Sequence, residues 1–165
     1  MLYKDRPPEL QGHIPVCADL TSGVYFRLQN QQLIIGSTLP EDEEEAVADA
    51  DDFDRLADQT FKMHKMHALH HRLPGLPYRG KIGSYCGLYT INRTDMHPIV
   101  GPTPCANLYI AAGFSGHGFK IAPAIGSLMA QMITGNGVSG DTDVPLSFLS
   151  WKRKPLALDV KSVLA

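Results

Sequence analysis

The stretch GFSGHGFKIAPAIGSLMAQMITG, residues 113–135, limits what this chain can fold into more than any other. It follows LYIAA, which reads as a strand, and it places Gly113, Gly116, His117, Gly118 and Lys120 ahead of an apolar run. Ile121, Ile125, Leu128, Met129, Met132 and Ile133 recur at helical spacing, which predicts a helix from about Ile121 with Pro123 in its first turn and Gly135 as its cap. A strand, a glycine-rich bend and a helix start gather unpaired backbone amides and the positive end of a helix dipole in one place. Lys120 adds a full charge there, which suits a carboxylate or an anionic ring. The plainer alternative is that the glycines serve only a tight strand-to-helix turn. Their order is GxxGxG rather than the GxGxxG of a dinucleotide fingerprint. The literal GxGxxG at 135–140 follows a helix and opens none, so it is set aside.

Upstream, GVYFRL and QLIIGS are β-rich runs joined by a polar link and predict an antiparallel hairpin. The acidic run at 41–52 reads as a solvated approach to a helix over about 52–72, with Phe53, Leu56, Ala57, Phe61, Ala68 and Leu69 on one face and LPGLP as its end. GKIGSYCGLYTIN is strand-like, and the prolines of RTDMHPIVGPTPCAN predict a loop without regular structure.

Fifteen Lys and Arg against seventeen acids leave a net charge of −2, with no basic stripe beyond WKRKP, so nothing calls for nucleic acid. No apolar run approaches the roughly 20 residues that span a bilayer, and MLYKDRPPEL lacks a signal-like apolar core, so a cytoplasmic setting is expected. Cys17, Cys86 and Cys105 form no CxxC pair, which argues against a disulfide framework and a structural zinc site.

Residues 87–135, GLYTINRTDMHPIVGPTPCANLYIAAGFSGHGFKIAPAIGSLMAQMITG, closely resemble the C-terminal signature of FAD-dependent amine and amino-acid oxidoreductases of the D-amino-acid oxidase superfamily, which includes sarcosine oxidases, glycine oxidases and dimethylglycine dehydrogenases. The shared features are a GLYT strand, a D-x-x-P-I-x-G-P loop from Asp95 to Pro102, NLYIAAGFSGHGFK and the helix after it. TSGVYFRL, LIIGSTLPEDE and RLPGL resemble the family's substrate domain. The resemblance implies an α+β fold: an antiparallel or mixed sheet of a substrate domain with a crossing helix, plus the last strand and helix of an FAD-binding domain otherwise missing. It implies a partial substrate-binding domain at 1–86, the C-terminal part of the FAD-binding domain at 87–150, and a tail at 151–165. Gly87, Leu88, Gly113, Phe114, Ser115, Gly116, His117, Gly118, Phe119 and Lys120 are the flavin-contacting residues it implies. Lys120 matches the lysine that binds the substrate carboxylate, and Tyr89 and His117 shape the same pocket.

The reaction implied is oxidation of the C–N bond of an amino acid or N-methyl amino acid, with flavin carrying the chemistry. No strand followed by GxGxxG and an acid appears in the first hundred residues. The nucleotide-binding half is therefore expected from the same polypeptide or from another chain, with an exposed apolar surface where it packs and possible self-association. The alternative is a non-catalytic structural subunit or a truncated remnant. Where covalent-flavin sarcosine oxidases carry a cysteine two positions before the GLYT-type tyrosine, this chain has Gly87, with Cys86 one residue off and facing the other side of a strand, so non-covalent FAD is expected. The strand matching QQLIIGST lacks their oxygen-activating lysine, which leaves the electron acceptor open.

His64, His67 and His71 share a helical stripe, but no carboxylate or cysteine joins them, so no metal is assigned. Asp95 and His97 are expected to form a polar pair shaping their turn, without a catalytic role. No nucleophile elbow is present to suggest a hydrolase.

Overall fold

The alternating run GVYFRLQNQQLIIGS forms the centre of a five-stranded antiparallel sheet. The computed structural model describes residues 1–42, 46–77, 80–138 and 140–157, in two units, Met1–Leu88 and Tyr89–Ala165. The first unit holds β1 (Leu2–Asp5), β2 (Cys17–Asp19), β3 (Val24–Gln29), β4 (Gln32–Ser37), α1 (Gln59–Arg72) and β5 (Gly83–Ser84). Strand order is β2-β3-β4-β1-β5, every pair antiparallel, with Phe26 opposite Ile35 and Leu2 opposite Ile35 on the other side. Gln29 pairs with Gln32 across a two-residue turn in which Asn30 takes φ 55°, a left-handed conformation that asparagine tolerates.

One face of this sheet buries Leu2, Val24, Phe26, Leu33 and Ile35 against Met66, Ala68 and Leu69 of α1. Removing a side chain such as Leu69 from water contributes about 2 kcal/mol. The same helix buries a charge: Lys65 Nζ lies 2.6 Å from the Asp42 carboxylate and donates to the Gly23 carbonyl at 3.1 Å.

The helix predicted from residue 52 begins at Gln59 instead. Aspartates upstream hold the backbone in local turns: Asp49 accepts the Asp51 N–H and Asp54 accepts the Leu56 N–H. Such bonds compete with a helical ladder until Asp58 caps it by accepting the Phe61 N–H at 2.8 Å. Leu56 is accordingly outside the helix and exposed. Of the acidic run, residues 43–45 lie outside the described residues; Glu41 and Asp42 end a short 3-10 turn, Pro40–Asp42.

The second unit holds β6 (Ile99–Pro102), β7 (Tyr109–Ala112) and α2 (Gly118–Thr134). Its core is Val100, Ile125, Leu128 and Leu149. Three expectations are corrected here. The GLYT segment is not a strand; only Gly83–Ser84 of that run pairs, with Tyr3 and Leu2. The proline-rich loop does contain a strand, β6, paired with β7 from Ile99–Ala112 to Pro102–Tyr109. Pro98 precedes it and Pro102 is its last residue, so neither proline interrupts the ladder's middle. Finally, α2 starts at Gly118, which puts Pro123 inside the helix rather than in its first turn. Pro123 has no N–H for the Phe119 carbonyl one turn earlier, which loosens the start of the helix. Gly135 closes α2 in the left-handed conformation, φ 71°, with its N–H on the Gln131 carbonyl.

Candidate functional site

The bend between β7 and α2, residues 113–117, is held in an uncommon backbone path. Gly113 takes φ 70° and Ser115, although not a glycine, takes φ 48°. A Cβ at Gly118 would stand 3.2 Å from Phe114 Cβ and Cγ, so a larger residue there requires the Phe114 side chain to shift by a few tenths of an ångström.

Ser115 is fully buried, and its bonds explain how it keeps a conformation costing roughly 1 kcal/mol. Its N–H donates to the Thr90 carbonyl at 3.0 Å, its Oγ accepts the Asn92 N–H at 2.9 Å, and Oγ faces the Gly113 carbonyl at 3.2 Å. Asn92 is fixed in turn by its side chain. Nδ2 donates to Asp95 Oδ1 at 3.0 Å and to the His97 carbonyl at 2.7 Å, while Oδ1 accepts the Thr94 N–H.

Asp95, 1 % exposed, is the hub of this loop. Arg153 grips it with a fork, Nη2 to Oδ1 at 2.8 Å and Nε to Oδ2 at 3.1 Å, and the His97 and Leu156 N–H groups also donate to it. Burial pushes the carboxyl toward its neutral form, but the Leu156 N–H, the Arg153 guanidinium and the His97 N–H outweigh it and hold the pKa below the ordinary value. Asp95 and His97 do share a turn, His97 Nδ1 lying 2.9 Å from the Asp95 carbonyl. Arg153 was missed at the sequence level because WKRKP reads as an ordinary basic cluster.

At the start of α2, His117 provides no side-chain cap. The N–H groups of Gly118, Phe119 and Lys120 have no residue one turn earlier in the helix to bond and lie at the positive end of its dipole. Gly116 and Lys120 are exposed, and Phe119 is 96 % exposed. Lys120 is the third residue of α2, within its first turn. Tyr89, 55 % exposed, directly precedes Thr90, whose carbonyl holds Ser115. Gly87 and Leu88, both exposed, end the first unit, whereas the other sequence-predicted site residues belong to the second.

On α1, His67 and His71 place their Nε2 atoms 3.1 Å apart with rings edge-on, and His64 is exposed. Among the described residues no group of three or more His, Cys, Asp or Glu is arranged to hold a metal. Cys86 is exposed and its N–H donates to the Arg55 carbonyl. No helix among the described residues is long and apolar enough to cross a membrane.

A family model described as FAD dependent oxidoreductase (DAO) matches residues 2–132. FAD-dependent oxidoreductase domain-containing protein 1 of Bos taurus is 36 % identical over 122 residues, covering 72 % of this chain and 24 % of that protein. The Xenopus laevis protein of the same name is 31 % identical over 140 residues, 82 % of this chain and 27 % of its own length. The chain thus spans about a quarter of the length of these curated relatives. A monomeric sarcosine oxidase of Bacillus sp. (strain NS-129) is 38 % identical over 85 residues, 51 % of this chain and 20 % of that enzyme. Among solved structures, L-proline dehydrogenase from P. horikoshii superposes with a TM-score of 0.62 over 90 % of this chain and 37 % of that one; at 22 % identity the likeness is one of fold.

Proposed function

This chain belongs to the DAO family of FAD-dependent oxidoreductases, and we propose that it is the C-terminal catalytic portion of a flavoenzyme that oxidises the C–N bond of an amino acid or N-methyl amino acid. One observation carries the reading: the Ser115-anchored bend delivers an uncapped helix start and the exposed Lys120 to the same surface.

The residues present fit FAD. The first-turn N–H groups of α2 and its dipole favour the edge of a ring that gains negative charge on reduction, and the exposed Gly116 allows a flat ligand to approach closely. When bound, FAD supplies the two-electron acceptor. Gly113, Phe114, Ser115, Gly116, His117, Gly118 and Phe119 would line it, with Gly87 and Leu88 assigned to the same role by resemblance. Gly87 standing where covalent-flavin relatives carry cysteine supports non-covalent attachment.

Lys120 anchors the carboxylate of the amine, and Tyr89 and His117 shape the pocket. The similarity to sarcosine oxidases supports an N-methyl amino acid as substrate. A charged anchor orients the reacting C–H bond and makes a carboxylate a condition of binding.

The nucleotide-binding half is supplied by the same polypeptide or by a partner. Phe119, Ala122, Gly126, Ala130 and Ile133 form an exposed, small-to-apolar stripe along α2, the kind of face that another layer covers. The test is to reconstitute the chain with the nucleotide-binding half and titrate FAD. A shifted flavin spectrum and quenched fluorescence that need both parts are expected; flavin binding by the partner alone, undisturbed when this chain is added, would overturn the reading.

A further inference from the structure

The Arg153–Asp95 ion pair of the second unit is buried, and its hydrogen bonds lead to the bend. Arg153 comes from the C-terminal segment, 58 residues from Asp95 in the chain, and its side chain is 9 % exposed against 2 % for Asp95. Arg153 Nη2 and Asn92 Nδ2 donate to the same two acceptors, Asp95 Oδ1 and the His97 carbonyl. Arg153 Nη1 is itself fixed by the Leu149 and Ser150 carbonyls. The guanidinium therefore fixes the place of the two atoms that fix Asn92, and the Asn92 N–H fixes Ser115 Oγ.

We propose that Arg153 is a positioning residue for the bend: its fork on Asp95 sets Asn92, and through Asn92 it holds Ser115 in the left-handed conformation that aims the start of α2. Ser115 is the sensitive point. A non-glycine residue at φ 48° is retained only while its surroundings over-determine it, so loss of one directed bond shifts its population. Arginine is required over lysine because only the planar fork satisfies both carboxylate oxygens while reaching three carbonyls. The consequence for flavin rests on the function proposed above; the consequence for Ser115 does not.

The test is amide hydrogen exchange on this chain assembled with the nucleotide-binding half and carrying Arg153→Gln or Arg153→Lys, beside FAD titration of the same samples. In Arg153→Gln the Ser115 and Asn92 amides are expected to lose protection at least tenfold relative to the Leu128 amide in the body of α2, and the FAD dissociation constant is expected to rise with them. Arg153→Lys, which keeps the charge and serves if the glutamine variant does not fold, should recover only part of the protection. Unchanged protection at Ser115 in both variants, or an equal loss at Ser115 and Leu128, overturns the positioning role. Loss of protection at Ser115 with FAD affinity unchanged keeps the positioning role and overturns the assignment of the bend to flavin.

Discussion

The Asn92 N–H lies 2.9 Å from Ser115 Oγ, tying the loop before β6 to the bend before α2 through one buried hydroxyl. The reverse bond, from the Ser115 N–H to the Thr90 carbonyl, makes the tie two-way. The surface presented by Gly116 and Lys120 depends on a serine that touches no solvent.

Ser115→Ala and Ser115→Gly separate the hydroxyl from the backbone strain. Both leave the Asn92 N–H without its acceptor, at about 1–3 kcal/mol. Glycine also relieves the left-handed conformation, roughly 1 kcal/mol. Urea midpoints should fall in the order wild type, glycine, alanine; alanine matching or exceeding glycine contradicts the strain assigned to Ser115.

Asp95 sets a pH dependence whose sign follows from its lowered pKa. The folded state holds the carboxylate ionised more strongly than the unfolded chain does. Its contribution is fully present above the unfolded value of about 3.9 and is lost as pH falls through the lower folded value. Urea unfolding between pH 6 and pH 2.5 should lose stability most steeply below about pH 4. Asp95→Asn should flatten that limb while costing about 3–5 kcal/mol at neutral pH, since Arg153 is then buried without its partner charge. An unchanged acid limb in that variant would show that other carboxyls set it.

Gly126 sits on the exposed face of α2, with nothing within 4 Å of where its Cβ would stand. Gly126→Leu is expected to stabilise this chain, since glycine costs about 1 kcal/mol within a helix. The same variant should weaken association with the nucleotide-binding half, because the added side chain stands on the stripe assigned to that contact. Size-exclusion and melting measurements on one sample read both effects, and unimpaired assembly would remove α2 from the interface.

Much of this was legible in the sequence where the signal is local. The β3–β4 hairpin follows from alternation across a polar turn, and α2 and its Gly135 cap follow from helical periodicity. What was missed depends on competition or distance. The start of α1 moved because Asp49, Asp54 and Asp58 bond their own neighbours' amides, a choice that periodicity cannot register. Strand β6 was hidden because proline reads as a breaker, although Pro98 and Pro102 fall just before it and at its end. The support of the bend was invisible because Arg153 and Asp95 meet only in the folded unit. The residues of the bend itself stood out, since glycines and a lysine before an apolar helix need no tertiary partner to be noticed.

Lys120 carries the central proposal, and Lys120→Met in the flavin-loaded assembly tests it most directly. A charge-assisted bond to a carboxylate contributes about 1.5–3 kcal/mol, so KM for a carboxylate-bearing amine should rise roughly 10- to 100-fold. The FAD dissociation constant should change less than about threefold, because in the proposed site backbone N–H groups, rather than the Lys120 side chain, would supply most of the hold on the ring. Equal losses in substrate and flavin affinity, or an unchanged KM, would contradict the account.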